Sequence, residues 1–71
     1  MAEIGHLIKI EGIVEEALPG LLFRVRSGER EILAHLAGRL KIHRIRIIPG
    51  DKVTIEMAGP NEKRGRIVRR L

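Results

Sequence analysis

Ala37-Gly38-Arg39-Leu40-Lys41-Ile42-His43-Arg44-Ile45-Arg46-Ile47 is the stretch on which the fold turns. Elsewhere in the chain apolar residues recur at every second position. Here Leu40 and then His43 or Arg44 lie three and four apart, which is the period of a helix. A short helical turn is therefore expected after Gly38. It is too short to persist alone and must dock on its neighbours.

On the carboxyl side, Pro49-Gly50-Asp51 reads as a turn that closes the insertion. Lys52 to Met57 then alternates cleanly, with Val53, Ile55 and Met57 on one face and Lys52, Thr54 and Glu56 on the other. Ala58 to Gly65 reads as a polar loop, and Arg66 to Arg69 as a last strand with Ile67 inward. Val68 is expected to share the solvent side or to meet an edge.

On the amino side, Glu31 to Leu36 is an apolar-rich strand, preceded by a hairpin connection at Ser27-Gly28-Glu29. Leu21 to Arg26 alternates, with Phe23 and Val25 inward and Arg24 and Arg26 outward, and follows a turn at Leu18-Pro19-Gly20. His6 to Glu16 is a long first strand with Ile8, Ile10 and Val14 on one face. Gly12 falls on that face, where a missing side chain lets a strand bend sharply. Ile13 breaks the alternation and is expected to cover an edge or to mark a bulge. Five strands with a helix between the third and fourth is the order of an all-β OB-fold barrel. An SH3-like barrel, its nearest rival, does not usually carry a helical insertion there.

Seventy-one residues suffice for one domain, 1–71. A chain of this size buries only about 60% of the surface that its unfolded form exposes. The core must be thin, and a deep catalytic cleft has no room. Cysteine is absent, which removes disulfides and thiolate metal sites. Met1 to Gly5 has no basic segment leading into an apolar run, so no signal peptide is expected. The apolar runs fall far short of the roughly 20 residues that span a bilayer. A cytoplasmic protein without membrane partners is expected.

Charge is distributed unevenly. Residues 1–38 hold four Lys/Arg against six Glu, whereas residues 39–71 hold ten Lys/Arg against three acidic residues. A basic half points to a polyanionic partner, nucleic acid before membrane.

The run from Gly38 to Val53, containing Ile45-Arg46-Ile47-Ile48-Pro49-Gly50-Asp51-Lys52-Val53, resembles bacterial translation initiation factor one. Glu11-Gly12-Ile13-Val14, Ala17-Leu18-Pro19, Phe23-Arg24-Val25 with Ala34-His35, and Gly65-Arg66-Ile67-Val68 follow the same order. The resemblance thus covers nearly the whole chain. It implies an OB-fold protein that binds ribosomal RNA at the decoding site of the small ribosomal subunit. It further implies occupancy of the aminoacyl-tRNA position, action beside the other initiation factors, and no catalytic activity. The chain also departs from the family. Arg44 stands where a tyrosine usually precedes Ile-Arg-Ile, Gly59-Pro60-Asn61-Glu62 replaces Pro-Tyr-Asp-Leu, and Arg69 stands where the last strand carries an aromatic or other residue. Tyr, Trp, Gln and Cys are missing altogether. So narrow an alphabet fits a reconstructed or reduced-alphabet member. The alternative reading is an engineered barrel that binds polyanions non-specifically.

Arginine and lysine hold phosphate by charge and by N–H donors, arginine often through two parallel bonds. The candidate RNA-binding residues are Arg39, Lys41, His43, Arg44 and Arg46 of the insertion, with Arg64, Arg66, Arg69 and Arg70 of the final hairpin. They are expected to converge on one face. Arg24 and Arg26 are weaker candidates, since Glu29 and Glu31 are close in sequence. His35 is expected to be packed and hydrogen-bonded. His35 and His43 without cysteine make no closed zinc site, so neither metal nor cofactor is expected. One serine and no cysteine provide no nucleophilic triad. Glu15, Glu16, Glu29 and Glu31 read as solvent-facing strand charges rather than acid–base pairs. Single-strand binding by base stacking is disfavoured, because the one aromatic residue, Phe23, belongs to the core. A monomer is expected.

Overall fold

Alternation carries the chain through β1 (Ile8–Leu18), β2 (Leu22–Ser27) and β3 (Arg30–Leu36), and a helical period interrupts it at α1 (Gly38–Ile42). It resumes in β4 (Lys52–Met57) and β5 (Arg64–Arg70). The computed structural model describes residues 7–71, so His6 lies outside the described residues. The strands close into a barrel in the order β1-β2-β3-β5-β4. All neighbours are antiparallel except β3 and β5, which run parallel over Leu33–Leu36 and Arg64–Ile67. This is the five-stranded OB architecture, with its helix between β3 and β4.

Closure depends on β1 serving two partners. Residues 8–13 of β1 pair with β4, and its residues 13–18 with β2. A strand shared between two neighbours must bend, and Gly12 sits near the crossover. A Cβ there would stand 2.7 Å from Val25 Cγ1 and 2.8 Å from the Arg26 carbonyl oxygen. Only glycine lets β2 come so close. The hairpin from β2 to β3 turns at Gly28, whose φ of +64° fits the first central residue of a two-residue loop.

The core holds Val14, Phe23, Val25, Ile32, Ala34, Val53, Ile55, Met57 and Ile67, sealed at one end by Leu36, Ala37, Leu40 and Ile47. Every strand contributes alternate residues to it, as a half-buried sheet requires. No charged side chain is buried among the described residues.

Boundaries differ from the sequence expectation where pairing is non-local. β1 runs two residues beyond Glu16, because Ala17 and Leu18 pair with Phe23 and Leu22. β3 begins at Arg30, paired with Ser27. β5 begins at Arg64 instead of Arg66, because parallel pairing to Leu33 recruits two residues of the expected loop. It also continues to Arg70, opposite Val53. Ile13 stays on the outer side, and the bulge falls at Glu15, the residue without a partner between the Val14–Val25 and Glu16–Arg24 pairs. Val68 neither faces open solvent nor meets an edge. It is the extra residue of a second bulge, between the Ile67–Ile55 and Arg69–Thr54 pairs, and packs partly against the core.

Candidate nucleic-acid interface

The insertion is built from its two ends inward. At its start the Ala37 N–H donates to the Ile67 carbonyl at 3.0 Å, fastening α1 to β5. Leu40 is the buried residue of α1 and plugs the end of the barrel. The helix lasts barely more than a turn because it is stopped at once. The Arg44 N–H donates to Lys41 O at 3.1 Å, and the Ile45 N–H to Leu40 O at 3.0 Å. These are the paired bonds of a Schellman motif, which needs its first residue past the cap in a left-handed conformation. Arg44 occupies that position with φ of +56°, where glycine is the usual choice. Leu40 and Ile45, the two positions at which such a motif places apolar residues, line one groove, and Ile45 packs partly against the core.

The far end is fastened to β1. Gly50 N–H donates to Val14 O at 2.8 Å, and Val14 N–H returns to Asp51 O at 2.9 Å. Asp51 also accepts the Ile48 N–H on Oδ2 at 3.0 Å, closing the turn. Buried Ile47 fixes the segment between. A stretch with little regular structure is thus held at both ends and in the middle. His43 and Arg44, candidates for RNA contact, are exposed, since the helix has already ended and Leu40 is the residue of α1 that is buried.

Two grooves meet at Ile45. One, of about 330 Å³, is lined by Leu21, Phe23, Leu36, Ile45 and Ile47, with Lys41, Arg44 and Arg46 beside them. The other lies between Leu40 and Ile45 on one side and Val68, Arg69, Arg70 and Leu71 on the other. The structure therefore gathers Lys41, Arg44, Arg46, Arg69 and Arg70 around the insertion. Arg39 and His43 are exposed on the same segment but line neither groove.

Arg64 and Arg66 are not drawn into that cluster. They line a separate groove of about 440 Å³ with His35, Glu56 and Met57. Six residue steps along the strand separate Arg64 from Arg70, roughly 20 Å at strand rise. The final hairpin thus divides its arginines between two places.

Acidic neighbours sort the candidates further. Arg66 donates to Glu56 at 2.8 Å, and Arg70 Nε lies 3.6 Å from Asp51. Arg39, Lys41, His43, Arg44, Arg46, Arg64 and Arg69 have no carboxylate within ion-pair distance among the described residues. The positive field is accordingly least compensated around α1 and the loop that follows it. His35 departs from expectation: it is exposed and makes no side-chain hydrogen bond among the described residues. It belongs to the outward phase of β3, with Glu31 and Leu33, and so cannot pack inside. No group of three metal-ligating side chains exists among the described residues, and no described helix is long and apolar enough to cross a membrane.

The family described as Translation initiation factor 1A / IF-1 matches residues 5–71. The chain belongs to that family. The solution structure of translation initiation factor one from the Wolbachia endosymbiont strain TRS of Brugia malayi is 46% identical. It superposes with a TM-score of 0.74 over 92% of this chain and 78% of that one. YjeQ from Thermotoga maritima is 27% identical with a TM-score of 0.70, but the match covers 90% of this chain and only 23% of YjeQ, so the same barrel recurs inside a larger protein. The family member described here is an RNA-binding protein of translation initiation, and its family is not enzymatic. Membership implies binding to the small ribosomal subunit and its RNA.

Sequence reasoning did not foresee the roles of Leu21 and Ile45 in shaping the groove. Ile45 had a signal, since a residue just past a helix end often packs back on the last turn. Leu21 had none. It leaves the expected strand to take φ of +57° in the preceding turn.

Proposed function

We propose that this chain docks as a monomer on the decoding site of the small ribosomal subunit, at the aminoacyl-tRNA position, beside the other initiation factors in the cytoplasm. Residues 1–71 act as one domain. Lys41, Arg44 and Arg46 form the centre of the RNA interface, with Arg69 and Arg70 across the adjoining groove and Arg39 and His43 on the exposed side of the insertion. Arg64 and Arg66 make a second, separate contact. The observation that carries this reading is a cationic segment fastened rigidly to the barrel at both ends and lacking acidic partners among the described residues.

Structured RNA closes its deep groove to side chains, so recognition rests on shape, phosphate and 2′-hydroxyl groups. Guanidinium groups on a fixed backbone suit that task, because little backbone ordering remains to oppose binding. Each phosphate neutralised releases condensed counterions, which makes affinity fall as salt rises. Co-sedimentation with purified small subunits at two salt concentrations tests the reading. Binding at low salt that weakens steeply at high salt is expected, with a preference for subunits that survives heparin competition. No co-sedimentation at low salt refutes the proposal. Complete displacement by heparin favours an engineered barrel that binds polyanions without regard to site.

A further inference from the structure

β2 presents Arg24 and Arg26 on the outer side of the sheet, where OB barrels often receive their ligand. Both are surrounded by carboxylates. Arg26 Nε donates to Glu15 at 2.7 Å and its terminal nitrogen to Glu31 at 3.2 Å. Arg24 donates to Glu16, while its Nε lies 4.0 Å from Glu15 and 3.9 Å from Glu31. The bulge at Glu15 makes this possible, because two consecutive β1 residues then oppose one residue of β2 and both carboxylates reach the same arginine column.

Such exposed pairs add little stability, typically under about 1 kcal/mol. Their consequence is electrostatic. Two cations meet three anions, so this five-residue cluster is net negative, although Lys63 and Arg64 share a groove with Arg24 and Glu31. We propose that Glu15, Glu16 and Glu31 are selectivity residues: they withhold Arg24 and Arg26 from nucleic acid, keeping RNA off the outer face of β2 and leaving the insertion side as its main contact. The inference rests on the RNA-binding reading of that side. A phosphate approaching β2 must displace a carboxylate already bonded to the guanidinium and meet the repulsion of the other two. Arg26 is raised in pKa by its hydrogen bond to Glu15 first and by the charges of Glu15 and Glu31 next, in keeping with an arginine already committed to carboxylates.

The test measures affinity for an RNA duplex unrelated to ribosomal sequence, across a salt series, for wild type and three variants. Glu15→Gln/Glu31→Gln frees Arg26 at nearly constant shape. It is expected to gain about five- to tenfold at about 50 mM salt, with the slope of log K against log salt steeper by about 0.9, one added phosphate contact. Adding Arg26→Ala to that variant is expected to remove the gain. Glu29→Gln/Glu62→Gln raises net charge equally without touching Arg26 and is expected to gain less than half as much. No gain, a gain that persists without Arg26, or an equal gain in the charge-matched control overturns the inference. Subunit binding by Lys41→Ala/Arg44→Ala/Arg46→Ala is read separately. Full affinity there overturns the interface assignment, whereas the duplex measurements report on the masking alone.

Discussion

Gly12→Ala places one methyl group where β1 crosses β2. That methyl carbon would sit 2.7 Å from Val25 Cγ1 and 2.8 Å from the Arg26 carbonyl oxygen. Neither neighbour yields easily. Val25 is fully buried and branched at Cβ, so its rotamer is fixed by the core, and the Arg26 oxygen belongs to the backbone of a paired strand. Overpacking of this kind costs about 1–3 kcal/mol, and two rigid contacts put this site near the upper end. Removing a glycine also stiffens the unfolded chain, which offsets about 0.4–1 kcal/mol. The net loss is about 2 kcal/mol, which lowers Tm by roughly 8–16 °C for a domain of this size. The assay is thermal and denaturant unfolding beside Gly59→Ala, where no atom lies within 4 Å of the added carbon. Gly59→Ala is expected to stay within about 0.5 kcal/mol of wild type. A Gly12→Ala midpoint within about 2 °C of wild type, at an unchanged denaturant slope, would refute the close approach and with it the account of how β1 bends.

Lys41→Ala/Arg44→Ala/Arg46→Ala should leave Tm nearly unchanged, since all three are exposed or partly so, while the salt slope of subunit binding flattens by about 2 as phosphate contacts are lost. Arg44→Gly should separate stability from binding. It relieves a left-handed residue at φ of +56° and raises stability by about 0.5–1 kcal/mol in unfolding experiments, yet lowers subunit affinity by one contact. Leu40→Ala removes the plug beneath α1 and should cost about 2–3 kcal/mol in denaturant unfolding. Ile42→Ala, at a residue 78% exposed, should shift stability by no more than about 0.5 kcal/mol.

The strands were legible because alternation is local: Lys52–Met57 runs from the same first residue to the same last residue in sequence and structure. Gly12 and the turn at Pro49-Gly50-Asp51 were equally plain, since glycine and proline signal their backbone needs directly. Strand ends were less so. Arg64 and Gly65 enter β5 only because Leu33 and Ala34, some thirty residues earlier, offer them partners. The left-handed turn at Arg44 was not foreseen, for a related reason. Spacing signalled a helical turn, but the bonds that stop the helix depend on backbone conformation, which helical periodicity does not encode. The candidate site was legible in composition, not in arrangement. Basic residues of the insertion were found from charge alone, while the separation of Arg64 and Arg66 from Arg69 and Arg70 follows from strand length and pairing. Sequence proximity named Glu29 and Glu31 as neighbours of Arg24 and Arg26. The bulge that delivers Glu15 and Glu16 is a property of the folded sheet.

Chemical footprinting of small-subunit RNA, with wild type and with Lys41→Ala/Arg44→Ala/Arg46→Ala side by side, bears most directly on the central claim. Protection confined to the decoding site and lost in the triple variant is the predicted result. Protection elsewhere on the RNA, or a decoding-site footprint that the variant leaves intact, would contradict it.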